Sequence, residues 1–289
     1  MSTSALLRTL MANKCLLVSS HSNDQVLSLA DGSWSSITVT GARGLAVNDS
    51  MIAVASSESL MYYLRSTGEF AGSIVIDSKD SHEIAYGQNG DVIVCASQRS
   101  SLVRQNLGVD EVIWTVPGVT AGTSDGRSWV NGVTLVNNVP KYVSVLGVSD
   151  TSGGWRDEAM AERGVIFDAD TNTPAVSGLL FPHSPTVIDG SLWFCNSGHA
   201  QLCRWTPGDA AHTVVTQLPG WSRGILDCGT HILVGISQGR LTAFPNLTAD
   251  LMAQPGIAVV DKNSGNVVEF EALDVQEVFD LTVADVALR

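Results

Sequence analysis

Apolar and polar positions alternate along this chain in a unit that recurs five times. The copies are "RGLAVNDSMIAVASS" from Arg43, "HEIAYGQNGDVIVCAS" from His82, "NGVTLVNNVPKYVSVLG" from Asn131, "SPTVIDGSLWFCNSG" from Ser184 and "RGILDCGTHILVGIS" from Arg223. Each reads as a short apolar strand, a tight turn and a second apolar strand ending in small polar residues. The turns "QNGD", "IDGS" and "DCGT" supply the Asn, Asp or Gly that a hairpin needs for positive φ or an Asx bond; "VNDS" and "NNVP" are weaker variants. A third strand, a polar turn and a fourth strand follow each copy, as in "LMYYLRSTGEFAGSIVID" and "SLVRQNLGVDEVIWTVP". The pattern predicts five four-stranded units.

The two ends of the chain complete a sixth. C-terminal "EVFDLTVAD" reads as a first strand without successors, and "KCLLVSSHSNDQVLSLADGSWSSITVT" as second, third and fourth strands without a first. Joining them in one sheet closes a ring and protects the sheet edges. The expected architecture is all-β, a single six-bladed β-propeller over residues 1–289. Helix is expected only as a turn or two within 156–162 and 246–253.

Composition agrees with a large buried core, since 44% of residues are hydrophobic and 16% charged. A formal net charge of −13 opposes binding to nucleic-acid phosphates and to anionic membrane surfaces, so neither is an expected partner. No apolar run reaches the length of a membrane span, and "MSTSALLRTLMANK" lacks an apolar signal region and a small-residue cleavage site. A cytoplasmic protein is expected. The five cysteines form no C-x-x-C pair and lie mostly in apolar strands, which predicts buried free thiols. One bridge across a hairpin, Cys195 to Cys203, stays open at this level.

Candidate chemistry sits where the first strands begin. Arg43, His82 with Glu83, Asn131, His183, Arg223 and Asp280 are polar at the start of apolar strands. In a propeller these strands line the central channel, and their starts share a face with the loops between second and third strands. The longest such loop before the final third, "SDTSGGWRDEAMAERG" at 149–164, should overhang that mouth. Trp155 offers an apolar wall, Arg156 a guanidinium fork for a carboxylate or phosphate, and the Gly153–Gly154 pair close backbone approach. Asp150 is expected to orient Arg156. The loop from Gly239 to Pro255 is expected to form a second lid with Phe244 at its tip.

The segments "SHEIAYG", "NGVTLVNNVPKYVSVLGVSDTSGGWR", "PHSPTVIDGSLWFCNSG", "LPGWSRGI" and "EVFDL" resemble a family of bacterial proteins catalogued as a domain of unknown function. The resemblance runs from about residue 80 to the C-terminus and implies a propeller without implying an activity. Its motif positions include His82, Asn131, Asp150, Trp155, Arg156, His183, Asn196, Ser197 and Arg223. Two positions depart from the family pattern: Glu83 replaces an Asp, and Val130 replaces the His expected before Asn131.

Three functions are open at this stage. The first is a metal-independent enzyme acting on a small, carboxylate-bearing molecule: a lyase, isomerase, cyclase or hydrolase without a cofactor. His82 or His183 would move the proton, Glu83 would hold one imidazole, and Arg223, Arg43 or Arg156 would bind the carboxylate or stabilise an oxyanion. Asn131, Asn196, Ser197, Asp150, Trp155 and Asp280 would shape the substrate site. The second is a non-catalytic propeller that recognises a peptide, glycan or protein on the same face. The third is a divalent-metal enzyme with oxygen ligands from Glu83, Asn131 and Asp280 in the channel. Oligomeric state is not legible.

Overall fold

The computed structural model describes residues 3–78, 80–106, 108–239 and 252–289. Six sheets of four antiparallel strands stand around a central channel. Their innermost strands are Asp280–Ala284 of blade 1, Leu45–Val47 of blade 2, Ser81–Tyr86 of blade 3, Val130–Val136 of blade 4, Pro182–Ile188 of blade 5 and Trp221–Asp227 of blade 6. The ring closes as the two ends of the sequence predict: strand Cys15–Ser20 pairs with strand Asp280–Ala284, placing Cys15 opposite Ala284 and Ser19 opposite Asp280. Alternating residues of facing blades fill the core between sheets. Leu16 and Val18, for example, pack with Leu233, Ile257 and Val259 across the junction of blades 1 and 6.

Hairpin turns follow the predicted chemistry. Asp189 and Gly190 both adopt positive φ, and so do Asn137 and Asn138, which gives the "NNVP" turn a fully primed geometry despite its weaker sequence signal. Trp155–Met160 is helical, overlapping the expected 156–162 and starting one residue earlier. The short helix Ala5–Leu10 is an addition; its first turn is held by Glu269, which accepts from the backbone N–H groups of Leu6 and Leu7. The expected turn at 246–253 falls almost wholly outside the described residues, as does Phe244.

The small polar residues ending each second strand have a common task. Ser19 Oγ donates to Arg43 O, Ser97 Oγ to Val130 O, Ser197 Oγ to Ser222 O and Ser237 Oγ to Val278 O. Each bond ties one blade to the next, and a buried bond of this kind contributes about 1 kcal/mol. Between blades 2 and 3 the direction reverses, and Ser81 Oγ donates to Ser56 O. Blade 4 alone has an apolar residue there. Leu146 occupies the serine position and joins a cluster with Trp155, Phe181 and Trp221, beneath helix Trp155–Met160. Gly147 follows because a Cβ would stand 2.5 Å from Trp155 O. The missing tie is replaced by Asn131, whose Nδ2 donates to Pro182 O at 2.8 Å.

All five cysteines are free. Cys203 pairs in register with Phe194 and Cys195 with Leu202, so the two thiols point to opposite faces of their sheet and cannot bridge. Among the described residues, no helix is long and apolar enough to cross a membrane.

Candidate functional site

Four innermost strands carry a β-bulge at the same level of the channel. His82 and Glu83 are the extra residues of blade 3, Asn131 of blade 4, Ser184 with Pro185 of blade 5, and Gly224 of blade 6. A bulge breaks the two-residue alternation and re-aims neighbouring side chains. Ser184 and Gly224 take φ of 51° and 68°, and Pro185 has no N–H to place in the ladder. As a result, adjacent residues serve opposite sides of the ring. His82 and His183 line a cavity on one side, whereas Glu83 and Ser184 line a second cavity on the other.

The imidazole-side cavity has a volume of about 460 Å³, within the range of small-molecule sites. Six residues singled out from the sequence meet there: Arg43, His82, Trp155, Arg156, His183 and Arg223. The imidazoles of His82 and His183 are 6.1 Å apart between centroids, and Phe279 lies 4.7 Å from His82. Arg223 stands over Phe279 at 5.0 Å and pairs with the buried Glu277 at 3.4 Å. Arg43 donates to Ser81 O, His21 Nε2 and Asp80 Oδ1 at 3.0, 3.0 and 3.1 Å. The neutral His21 ring that accepts this bond carries its proton on Nδ1.

His183 is held in one tautomer. Its Nδ1 lies 2.9 Å from Phe181 O and 2.8 Å from Ser197 Oγ. Because the Ser197 hydroxyl proton goes to Ser222 O, both neighbours of Nδ1 accept, and Nδ1 must donate. The neutral ring therefore has its lone pair on Nε2, the arrangement a general base requires.

Trp129, Leu146, Trp155, Phe181 and Trp221 make the apolar wall. Trp129 and Trp155 lie 4.8 Å apart, Phe181 and Trp221 5.3 Å, and His183 approaches Trp221 at 5.9 Å. Sequence reasoning missed Trp129, Phe181 and Trp221, although a signal was present. In "FPH" and "WSR" an aromatic precedes the polar residue by two positions and both members of each pair line this cavity, whereas in "WVN" Trp129 lines it and Asn131 does not.

Six other residues singled out from the sequence do not line this cavity. Among the described residues, the Glu83 carboxylate accepts from Ser184 Oγ and from Val133 N and bonds to no imidazole. Asp280 accepts from the N–H groups of Leu45 and Leu281, both at 2.8 Å, and lines the opposite cavity. Asn131 is fully buried between Pro182 O and Ser144 Oγ. Asn196 accepts from Leu180 N and donates to Gln201. Ser197 supports His183 rather than facing the cavity. Asp150 binds Thr120 and Arg127, whose bonds hold its carboxyl down to about 2, and leaves Arg156 alone.

With Ser184 Oγ accepting from Gly224 N, the carboxylates form a hub touching all six inner strands: Asp280, Leu45, Glu83, Val133, Ser184 and Gly224. Burial, joined by repulsion from Asp280, raises the Glu83 carboxyl well above its ordinary range, and burial raises Asp280 as well. The three oxygen donors once considered for a divalent ion are thus engaged by protein donors. Among the described residues, no group of three or more His, Cys, Asp or Glu is arranged to hold a metal.

The motif-level resemblance extends to the whole chain, because a family model matches residues 2–287. The chain belongs to the family described as Domain of unknown function (DUF4915). The match includes the N-terminal strands, as a blade shared between both termini requires. No curated protein matches the chain. Among solved structures, it is similar to a chain of the nidogen/laminin complex at 11% identity and a TM-score of 0.66, covering 96% of this chain and 100% of that one. It is also similar to a protein of unknown function from Bacteroides caccae at 9% identity and a TM-score of 0.62, covering 94% and 98%. At these identities the likeness concerns the fold alone.

Proposed function

We propose that the protein is an enzyme acting on a small, carboxylate-bearing molecule bound in the imidazole-side cavity, by proton transfer through His183 with His82 as its partner. The observation that carries this reading is the fixed tautomer of His183, with Nδ1 committed to Phe181 O and Ser197 Oγ. A structural histidine needs only a satisfied ring. This one is held so that Nε2 carries the lone pair of the neutral ring, in a cavity that also contains His82 and three guanidinium groups.

In this scheme Nε2 of His183 takes a proton from carbon or from a hydroxyl, and His82 returns one to the developing product. Arg223 and Arg43 favour negative charge as it builds in the transition state. The scheme needs no cofactor and covers lyase, isomerase, cyclase and hydrolase outcomes alike.

The test is proton–deuterium exchange and turnover, followed by NMR, over a panel of small carboxylic acids in deuterated buffer. Wild-type protein should accelerate exchange or conversion for at least one class, and His183→Gln should reduce that rate about 10²–10⁴-fold. An unaltered rate in His183→Gln would remove the imidazole from the chemistry. Binding of an acid with neither exchange nor conversion would instead support a recognition site without catalysis.

A further inference from the structure

The two sides of the ring share a backbone, and a hydrogen-bonded chain of three residues runs along the hub side of it. Ser184 Oγ donates to the Glu83 carboxylate and accepts from Gly224 N at 2.9 Å. Each member of that chain immediately follows a cavity residue: Glu83 follows His82, Ser184 follows His183, and Gly224 follows Arg223. The middle member is buried and takes a φ of 51°, a conformation that a non-glycine residue keeps only where its surroundings hold it there. Its one hydroxyl proton goes to Glu83 and a lone pair receives the Gly224 N–H, so a single side-chain oxygen spans blades 3, 5 and 6.

We infer that Ser184 is a positioning residue for the His183 base, and that its hydroxyl sets the placement of His183 against His82 and Arg223. The inference rests on the proton-transfer reading of the cavity and adds the residue that holds the imidazole from the opposite side of the ring. Peptide planes leave φ and ψ as the adjustable angles, so tethering the Ser184 side chain fixes the plane that carries His183. The bond from Gly224 N holds the plane that joins Arg223 to Gly224. His82 is fixed from blade 2 as well, because Gly44 N donates to His82 O at 3.1 Å and a Cβ at Gly44 would stand 2.5 Å from that oxygen. Ser197 holds the His183 ring at Nδ1, and Ser184 holds the backbone beneath it. The two acceptors of Nδ1, at 2.9 and 2.8 Å, are reached from this placement, and such bonds weaken steeply once their geometry is lost.

Nitrogen-15 NMR of the His183 ring tests this without a substrate. Wild-type protein should show one neutral tautomer, protonated at Nδ1. Ser184→Ala should show a mixture of both tautomers, whereas Ser97→Ala, which removes the buried blade tie from Ser97 Oγ to Val130 O, should keep the single tautomer. Ser184→Gly suits the left-handed φ but lacks the hydroxyl; it should behave as Ser184→Ala does and is read in its place if the alanine variant does not fold. A single Nδ1 tautomer in the Ser184 variant would overturn the positioning role, as would a mixture in Ser97→Ala. Turnover of a carboxylic acid that the wild type converts should fall at least about tenfold in the Ser184 variant relative to Ser97→Ala, since a misplacement of about 1 Å costs on the order of 10²-fold in rate. Equal turnover in the two variants would likewise overturn the role. A tautomer mixture in the Ser184 variant together with unaltered turnover in His183→Gln would keep Ser184 as the residue that holds the ring and overturn the proton-transfer reading instead.

Discussion

The two sides of the central ring are built from adjacent residues of the same strands and differ in kind. His82 and Glu83 are neighbours, as are His183 and Ser184, yet the first of each pair lines the cavity and the second locks the blades together. On the cavity side, side chains are braced from behind, as Ser197 braces His183. On the hub side, carboxylates are consumed by main-chain and serine donors of neighbouring blades. Polar residues in a channel are thus not equivalent. Those whose donors and acceptors are spent on blade-to-blade bonds stabilise the ring, while those held in one orientation around the cavity carry the proposed chemistry.

Substitutions on the two sides should separate activity from stability. The largest effect is expected from His183→Gln, which should lower turnover about 10²–10⁴-fold while leaving the six-bladed fold intact by circular dichroism. Next is Glu83→Ala. It strands the Ser184 hydroxyl and the Val133 N–H in a buried site, at about 1–3 kcal/mol each, and should lower the urea midpoint accordingly. Glu83→Gln should be milder, since its carbonyl can still accept from Val133 N and only the Ser184 hydroxyl proton loses its acceptor. If Glu83→Ala unfolds no more easily than Glu83→Gln, the hub is not what holds the inner strands.

A smaller effect concerns pH. The folded-state pKa values of Glu83 and Asp280 are raised above those of the unfolded chain, so the folded state holds more protons in the window between them. Their contribution to stability is fully present below the ordinary carboxylate range, near pH 4, and is lost as pH rises through the raised values, towards neutrality and just above. The unfolding free energy from urea titrations between pH 5 and pH 8 should fall, by an amount on the order of 1–3 kcal/mol, and the fall should be reduced in Glu83→Gln. A wild-type profile with the same slope as the variant would assign the pH dependence to other groups. The smallest effect is expected from Ser197→Ala, which removes one blade tie and one acceptor from His183 Nδ1. It should cost about 1 kcal/mol of stability and shift the pH profile of turnover rather than abolish it.

The fold was open to sequence reading because each blade repeats the same strand and turn chemistry, and because the incomplete units at the two ends fit together. The cavity was partly legible for the same reason: polar residues opening apolar strands identify the right level of the channel. Glu83 and Asn131 fall outside the imidazole-side cavity because a β-bulge leaves no mark in residue periodicity, and a single inserted residue decides which side a side chain serves. The exceptional blade was legible only in retrospect. Leu146 in place of a serine and Gly147 after it show where helix Trp155–Met160 seats, and Asn131 restores the tie that the leucine gives up. The partnership of Asp150 with Arg127 rather than Arg156 depends on loop geometry that spacing along the chain does not encode.

The most direct measurement is an amide chemical-shift map of isotopically labelled protein titrated with a mixture of small carboxylic acids. Shifts clustered at Trp129, Leu146, Trp155, Phe181 and His183, with little change at Thr134 and Thr186 on the hub side, are the predicted result. Shifts clustered around Glu83, Thr134, Thr186 and Asp280, or no shifts on either side, would contradict the assignment of function to the imidazole face.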